Sequence, residues 1–458
     1  MMDLIDQLRR ALGEASVRTG SEIPARNRTD ALAQMSAVPL AIVLPRSTED
    51  VAAALALCHA AGQAVVPQGG MTGLVDASRP DGDEIAISLE RMTGVEEVDT
   101  VSGTITALAG TPLEVVQKAA EAAGMMIGID LGARGSCSIG GNVATNAGGN
   151  SVLRFGMTRA NVRGLEAVLA DGTVVRSRSK MIKNNTGFDW PQLLIGSEGT
   201  LGIITRVTLT LHPRPAAIAT ALAMVADTDT ALALLRNLGA RLPGGLLVFE
   251  AMWTEMYAIA TGHMGLKAPF AAKDAVYLLI EAPETGPEGS ALLEALHANM
   301  EAGRVIDAAI AQSEAERKQF WALRESVYGH ARIFPRTVGF DVSFALDRMA
   351  TAVDALRSRI GAEFPGADWV VFGHLADSNL HVNIMAEPVG PATSKRAEAL
   401  VYGLVGELGG SVSAEHGIGR AKAAYLHLTR SPEEMQLMSA IKRALDPKNI
   451  LSPGRVLT

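Results

Sequence analysis

The sequence predicts an α+β protein built from two dissimilar parts. Short apolar strands in the first half run into glycine-rich loops, whereas strand-sized and helix-sized stretches alternate in pairs in the second half. Between the halves lies the proline-punctuated His212-Pro213-Arg214-Pro215. Paired strand–helix units of the second kind pack as an antiparallel sheet with helices on one face. With 458 residues the chain can form two or three domains with sizeable cores. The expected boundaries are 1–214, 215–410 and a C-terminal segment 411–458 that returns to the first domain.

Residues 4–12 carry an amphipathic helical pattern. Ala41 to Pro45 is strand-like, and Ser47-Thr48-Glu49-Asp50 opens a helix with a cap and N-terminal acids that stops at Gly62. A second strand, Ala64 to Pro67, leads into Gln68-Gly69-Gly70-Met71-Thr72-Gly73. A strand followed by such a loop lets backbone N–H groups surround phosphate oxygens, and a Cβ would block the approach. The loop is neither G-x-G-x-x-G nor the Walker pattern. Strands are expected at 85–89 and 104–109, with a helix from Pro112 to Ala123. A second run of small residues, from Ser136 through Gly140-Gly141-Asn142 to Asn150, cannot fill a core but lets a flat or charged ligand lie against main chain. Asp171-Gly172, between the apolar stretches 162–169 and 173–175, is a hairpin signal. Gly196-Ser197-Glu198-Gly199-Thr200 leads into an apolar strand that ends at Leu211. In the second half, helices are expected at 228–239, 288–302 and 347–360, with strands near 246–251, 275–281, 338–344 and 369–372.

Composition narrows the class. Net charge is −8 and no basic stripe stands out, which argues against a nucleic-acid footprint. Two cysteines, Cys58 and Cys137, are too few for a disulfide scaffold, an iron–sulfur cluster or a zinc ribbon, and they suit a reducing compartment. The N-terminal stretch carries early acids and no apolar core of a signal, and no apolar run reaches membrane-span length. A cytoplasmic protein is expected.

The chemistry concentrates in Gly373-His374-Leu375-Ala376-Asp377-Ser378-Asn379-Leu380-His381-Val382-Asn383, flanked by apolar runs. On a straight helix the two histidines would stand ~10 Å apart along the axis, and on one strand ~23 Å apart. If the polar centre is a hairpin loop, the imidazoles face each other across a strand pair, with Asn383 on the same face as His381. A third ligand is plausible in Ser413-Ala414-Glu415-His416-Gly417. Histidines with no metal remain an equal alternative on spacing alone.

The Gly-Gly-Met-Thr-Gly loop, the Ile-Gly-Gly-Asn-Val-Ala-Thr-Asn-Ala-Gly-Gly stretch and Gly-Ser-Glu-Gly-Thr-Leu-Gly-Ile-Ile-Thr occur in the order found in vanillyl-alcohol-oxidase-type flavoproteins. The chain most resembles their branch of D-lactate, glycolate and D-2-hydroxyglutarate dehydrogenases, over nearly its whole length. That resemblance implies a two-part FAD-binding domain plus a ferredoxin-like antiparallel-sheet cap. It implies FAD contacts from Gly69, Gly70, Met71, Thr72, Gly73, Ala77, Ser78, Ser136, Gly140, Gly141, Thr145 and Ile204. Noncovalent FAD is expected, with Cys137 a small packed residue. By the same resemblance His374, His381 and Glu415 hold a divalent metal, usually zinc, and His416 is the general base. Arg324 and Asn383 bind substrate together with His416. Arg324 read without the resemblance is a surface helix charge.

The implied activity is metal-assisted oxidation of a D-2-hydroxy acid, with hydride passing to flavin N5. A flavin oxidase, or an FAD-binding subunit of a glycolate-oxidase-like complex, is the alternative. The acceptor could be an electron-transfer flavoprotein, a quinone or another carrier, and a homodimer is left open. The chain departs from the branch at Ala376-Asp377-Ser378, where the motif has Gly-Asp-Gly, and at Tyr328 and Gly339, which replace a Thr and a Lys. Those changes put a second substrate carboxylate in doubt, with Arg332 or Arg336 as substitutes.

Overall fold

The computed structural model describes residues 3–32, 36–177, 180–284, 291–334, 337–385 and 390–457. The chain divides into two compact units: Met1–Gly149 with Phe155–Arg214 and Glu415–Thr458, and Asn150–Arg154 with Pro215–Ala414. Among the described residues no helix is long and apolar enough to cross a membrane.

The first unit contains two sheets. One has four strands in the order Val17–Arg18, Ala41–Val43, Ile85–Ser88, Val65–Gln68, and the last three run parallel. Ser47 caps the helix Thr48–Ala61 by accepting from the Asp50 N–H, and Gly62 ends it in the left-handed region, as the sequence predicts. The second sheet is antiparallel around the long strand Ile203–Pro213, which pairs with Thr104–Leu108, Val162–Val168 and Met125–Ile127. The Asp171-Gly172 hairpin joins Val162–Val168 to Val174–Ser177. Both sheets share one core, in which Val43, Ile87, Val116, Ile139, Leu165 and Val207 are buried together. The C-terminal stretch adds to the first sheet, because Val65 donates to Ile450 and accepts from Ser452.

The second unit is a seven-stranded antiparallel sheet in the order Asp307–Ile310, Ile218–Val225, Val276–Pro283, Val248–Trp253, Asp368–Gly373, Asn379–Met385, Val338–Ser343. Two of these strands were not expected. Ile218–Val225 is half alanine and methionine and carries no β-branched pattern. Asp307–Ile310 is a short edge strand that pairs with Ile218–Val225. The helices Thr228–Arg241, Ala291–Glu301, Met349–Glu363 and Pro391–Leu408 form one layer; the expected start of the second at 288–290 lies outside the described residues.

The expectation that helices cover only one face is corrected. Thr254–Ala258 and Glu314–Arg324 pack on the other, with Met256, Phe320 and Leu323 against Met252, Leu279 and Phe372. A single layer cannot cover a twisted sheet of seven strands whose central members are apolar on both sides. In the first unit, Pro112 is the N-cap of its helix rather than a first-turn residue.

Candidate active site

The first unit holds an open cleft lined by Gly69, Ala77, Ser78, Gly140, Gly141, Thr145 and Ile204 among others. It forms because two glycine-rich segments lie on one another. A Cβ on Gly70 would stand 2.7 Å from the Cα of Cys137, and a Cβ on Gly140 would stand 2.9 Å from the Ala109 carbonyl oxygen. Backbone that close needs glycine. Gln68, buried at the end of its strand, anchors the loop by donating to the carbonyls of Asn27 (2.9 Å) and Ser78 (3.1 Å). Met71 is held at φ +56°, in the left-handed region. Gly70, Met71, Thr72, Gly73 and Ser136 do not line the cleft itself; Gly70 instead packs on the backbone of Ser136 and Cys137. Burial pushes the Cys137 thiol up, so it stays protonated and packed.

Glu198 also lines this cleft, at φ +53°. Its carboxylate accepts from the N–H groups of Ile418 and Gly419, each at 2.8 Å, and lies against Gly417. Burial raises its pKa, partly offset by those two N–H donors. Glu415 Oε1 accepts from the Gly149 N–H at 2.7 Å. The Glu415-His416-Gly417-Ile418-Gly419 turn is thus gripped at both ends within the first unit.

In the second unit the hairpin forms as expected. Asp368–Gly373 and Asn379–Met385 pair with Phe372 opposite His381. Ser378 closes the turn at φ +73°, where glycine would be unstrained. Asn379, His381 and Asn383 share one face of their strand, opposite Ser343, Asp341 and Gly339. Asn379 is buried, and its carboxamide makes no hydrogen bond among the described residues. The rings of His374 and His381 stand 5.7 Å apart between centroids and nearly perpendicular.

Each imidazole faces a buried carboxylate through Nδ1. His374 Nδ1 pairs with Glu250 Oε1, and His381 Nδ1 is 3.8 Å from Asp341 Oδ1. Asp341, fully buried, also accepts from the Ala414 N–H at 3.1 Å, directly before Glu415 in the chain. Arg324 is not a surface charge: it is 6% exposed, its Nε donates to Glu250 Oε2 at 2.7 Å, and its guanidinium lies 4.8 Å over the Phe372 ring. Burial alone would raise the Glu250 pKa, but His374 and Arg324 hold it below the usual carboxylate range. Tyr328 and Arg332 are exposed, and Arg336 lies outside the described residues.

Residues 39–178 match the family model "FAD binding domain" and residues 214–456 match "FAD linked oxidases, C-terminal domain". The second match alone spans more than half of the chain. This chain belongs to the FAD-linked oxidase family. It lies in the vanillyl-alcohol-oxidase-type group, in the branch that contains the D-2-hydroxyglutarate dehydrogenases. The mitochondrial D-2-hydroxyglutarate dehydrogenase of Bos taurus is 41% identical over 91% of this chain and 76% of its own. The D-2-hydroxyglutarate dehydrogenase of Xanthomonas citri pv. viticola is 38% identical over 91% of this chain and 89% of its own. The crystal structure of substrate-bound p-cresol methylhydroxylase shares the fold, with a TM-score of 0.77 at 16% identity, covering 99% of this chain and 96% of that one.

The first unit fits FAD on its own geometry, since Gly69, Gly140, Gly141, Gly199 and Gly202 line the cleft and leave it free of side chains at those positions. The histidine pair also suits a metal. Two imidazoles on one tetrahedral zinc, with Zn–N of ~2.0–2.1 Å, would have ring centres roughly 5 Å apart, close to the 5.7 Å found. Holding the His374 Nδ1 on Glu250 leaves its Nε2 for a cation.

Sequence reasoning did not single out Glu250, Asp341 or Glu198 in these positions. A signal for Glu250 was present: an acid inside the apolar run Val248-Phe249-Glu250-Ala251-Met252 is buried, and a buried acid needs partners. Their identity needed the fold.

Proposed function

We propose that this member of the FAD-linked oxidase family is a metal-assisted D-2-hydroxy acid dehydrogenase, with His374, His381 and Glu415 as ligands of a divalent cation, zinc first among candidates. FAD-dependent oxidation of a D-2-hydroxy acid is the activity that the family membership supports. The observation that carries the metal-assisted part is the histidine pair, with ring centroids 5.7 Å apart and His374 Nδ1 bonded to the buried Glu250.

FAD, when bound, would supply the two-electron acceptor for the hydrogen that the substrate loses from C2. A cation held by the three ligands supplies Lewis acidity toward the substrate's hydroxyl and carboxylate oxygens. This chain's residues do the rest. Arg324 presents the Nη edge of its guanidinium to the substrate carboxylate while Nε stays on Glu250. Asn383 hydrogen-bonds the substrate from the His381 face. His416, in the turn that Glu198 grips, takes the hydroxyl proton as general base. Gly69 to Gly73, Ala77, Ser78, Ser136, Gly140, Gly141, Thr145 and Ile204 hold FAD, noncovalently, because Cys137 is buried as a thiol.

The test is anaerobic bleaching of the flavin's visible absorption by paired D- and L-2-hydroxy acids: 2-hydroxyglutarate, malate, lactate, and glycolate without a stereocentre. Bleaching by a D-acid that is lost on chelation and restored by zinc is the expected result. Bleaching indifferent to chelation removes the metal, and bleaching by L-acids alone removes the assignment of stereochemistry.

A further inference from the structure

Two arginines on the helix Glu314–Arg324 each meet a buried glutamate on the sheet beneath. Arg317 Nε donates to Glu281 Oε1 at 2.7 Å, and Arg324 Nε donates to Glu250 Oε2 at 2.7 Å. Both glutamates are almost wholly buried, on neighbouring strands of the same sheet. As pins that hold the helix to the sheet, the two pairs are alike. They differ in what the remaining valences of the carboxylate do. Glu281 spends them on the helix and on a structural hydroxyl, accepting from Trp321 Nε1 at 2.8 Å and Thr220 Oγ1 at 2.9 Å. Glu250 turns Oε1 to the Nδ1 of His374.

A closed circuit of contacts results. Arg324 holds Glu250, which holds His374; the His374 ring faces His381 at 5.7 Å; the His381 ring faces Phe372 at 5.0 Å; and Phe372 lies 4.8 Å beneath the Arg324 guanidinium. Arg324 comes from a helix, His374 and Phe372 from one arm of the hairpin, His381 from the other, and Glu250 from a neighbouring strand. The spacing between the carboxylate-binding arginine and the histidine pair is therefore set by side chains, and Glu250 is the member of the circuit that bonds to both.

We propose that Glu250 is a positioning residue that fixes Arg324 and His374 relative to each other, so that the site accepts acids whose carboxylate and hydroxyl sit on adjacent carbons. It touches no substrate. It acts by holding the Arg324 fork in place and by keeping His374 in the tautomer that carries its proton on Nδ1, which leaves Nε2 as the lone-pair ligand. The inference rests on the metal-assisted reading for its functional consequence, while the tautomer itself does not depend on a metal.

The test compares Glu250→Gln with Glu281→Gln in the full-length, FAD-loaded protein. In Glu250→Gln the amide oxygen keeps Arg324 Nε, and the NH2 group faces His374 Nδ1. The imidazole must then accept at Nδ1 and carry its proton on Nε2, where a metal would bind. Zinc affinity of the chelator-stripped protein, measured by competition with a chromophoric chelator, is expected to fall roughly 10- to 100-fold. In Glu281→Gln it is expected to stay within about twofold, the range of a change that meets no ligand. Nitrogen NMR of His374 is expected to show the Nδ1–H tautomer in the parent and the Nε2–H tautomer in Glu250→Gln.

Unchanged zinc affinity and tautomer in Glu250→Gln would overturn the proposal, as would an equal loss in both variants. A parent protein that binds no zinc would remove the metal reading and leave the tautomer comparison to decide the role of Glu250.

Discussion

Replacing Gly70 by alanine tests whether the glycine-on-glycine contact of the first unit builds the FAD site. The new Cβ would stand 2.7 Å from Cys137 Cα and 2.9 Å from the Ser136 carbonyl carbon, both backbone atoms that no rotamer change can move. Carbon–carbon contact is comfortable from ~3.5 Å, and the Ser136 carbonyl oxygen lies nearer still, so the 69–73 loop and the 136–141 segment must separate by at least ~0.8 Å. A loop N–H that meets a phosphate oxygen near 2.9 Å would then sit at roughly 3.7 Å, outside hydrogen-bond range. Loss of one hydrogen bond to a charged oxygen costs ~1.5–3 kcal/mol, or roughly 10- to 150-fold in FAD affinity.

The assay is fluorescence titration of the FAD-stripped protein with FAD, together with thermal unfolding of that stripped protein. Gly403→Ala is the control. Gly403 lies inside the helix Pro391–Leu408, and a Cβ added there would meet nothing within 4 Å, so alanine should leave FAD affinity unchanged and add up to ~1 kcal/mol of helix stability. FAD affinity within twofold of the parent in Gly70→Ala would refute the close-contact argument.

Three further outcomes follow from the second unit. Arg324→Ala strips Glu250 of its arginine partner inside the core and should destabilise the protein by ~3–5 kcal/mol in urea unfolding; a loss under ~1 kcal/mol would mean that the pair is not buried as described. Ser378→Gly relieves a left-handed serine in the turn between the histidines and should stabilise by ~0.5–1 kcal/mol with turnover retained; lower stability would show that the serine side chain holds the turn. His330 is buried with neither ring nitrogen hydrogen-bonded among the described residues, and burial lowers its pKa below the ordinary 6.5. Between that lowered value and 6.5 the unfolded chain binds a proton that the folded chain does not. Stability should therefore be unaffected above 6.5 and fall as pH drops through that window, by at most ~1.4 kcal/mol per pH unit. His330→Leu should flatten this slope, and an unchanged slope would assign the acid loss to other groups.

The parts of this protein that could be read in its sequence share one property: their physics is local. A turn-forming Ala-Asp-Ser-Asn between two apolar runs specifies a hairpin whatever surrounds it, and the hairpin brings His374 and His381 together. Glycines at 70 and 140 mark close backbone approach, because a Cβ there would run into the backbone of Cys137 and of Ala109. The misread parts are those in which a distant partner decides. Ile218–Val225 becomes a strand because Val276–Pro283 and Asp307–Ile310 flank it, not through its own propensity. Arg324 looked like a surface charge because its helix is polar over most of its length. Its burial is fixed by Glu250, 74 positions earlier, whose strand must first be in register with two neighbours.

The same distinction separates the ligands of a site from the residues that aim them. A ligand set can recur as a short motif, since the metal needs particular atoms at particular spacings. The carboxylates behind His374 and His381 come from strands 124 and 40 residues upstream, and any fold that delivers an acid to Nδ1 would serve. No spacing rule can announce them. What does announce them is the cost of burying Glu250 and Asp341 in an apolar sheet, a cost that the sequence shows at Glu250 and that only the folded chain offsets.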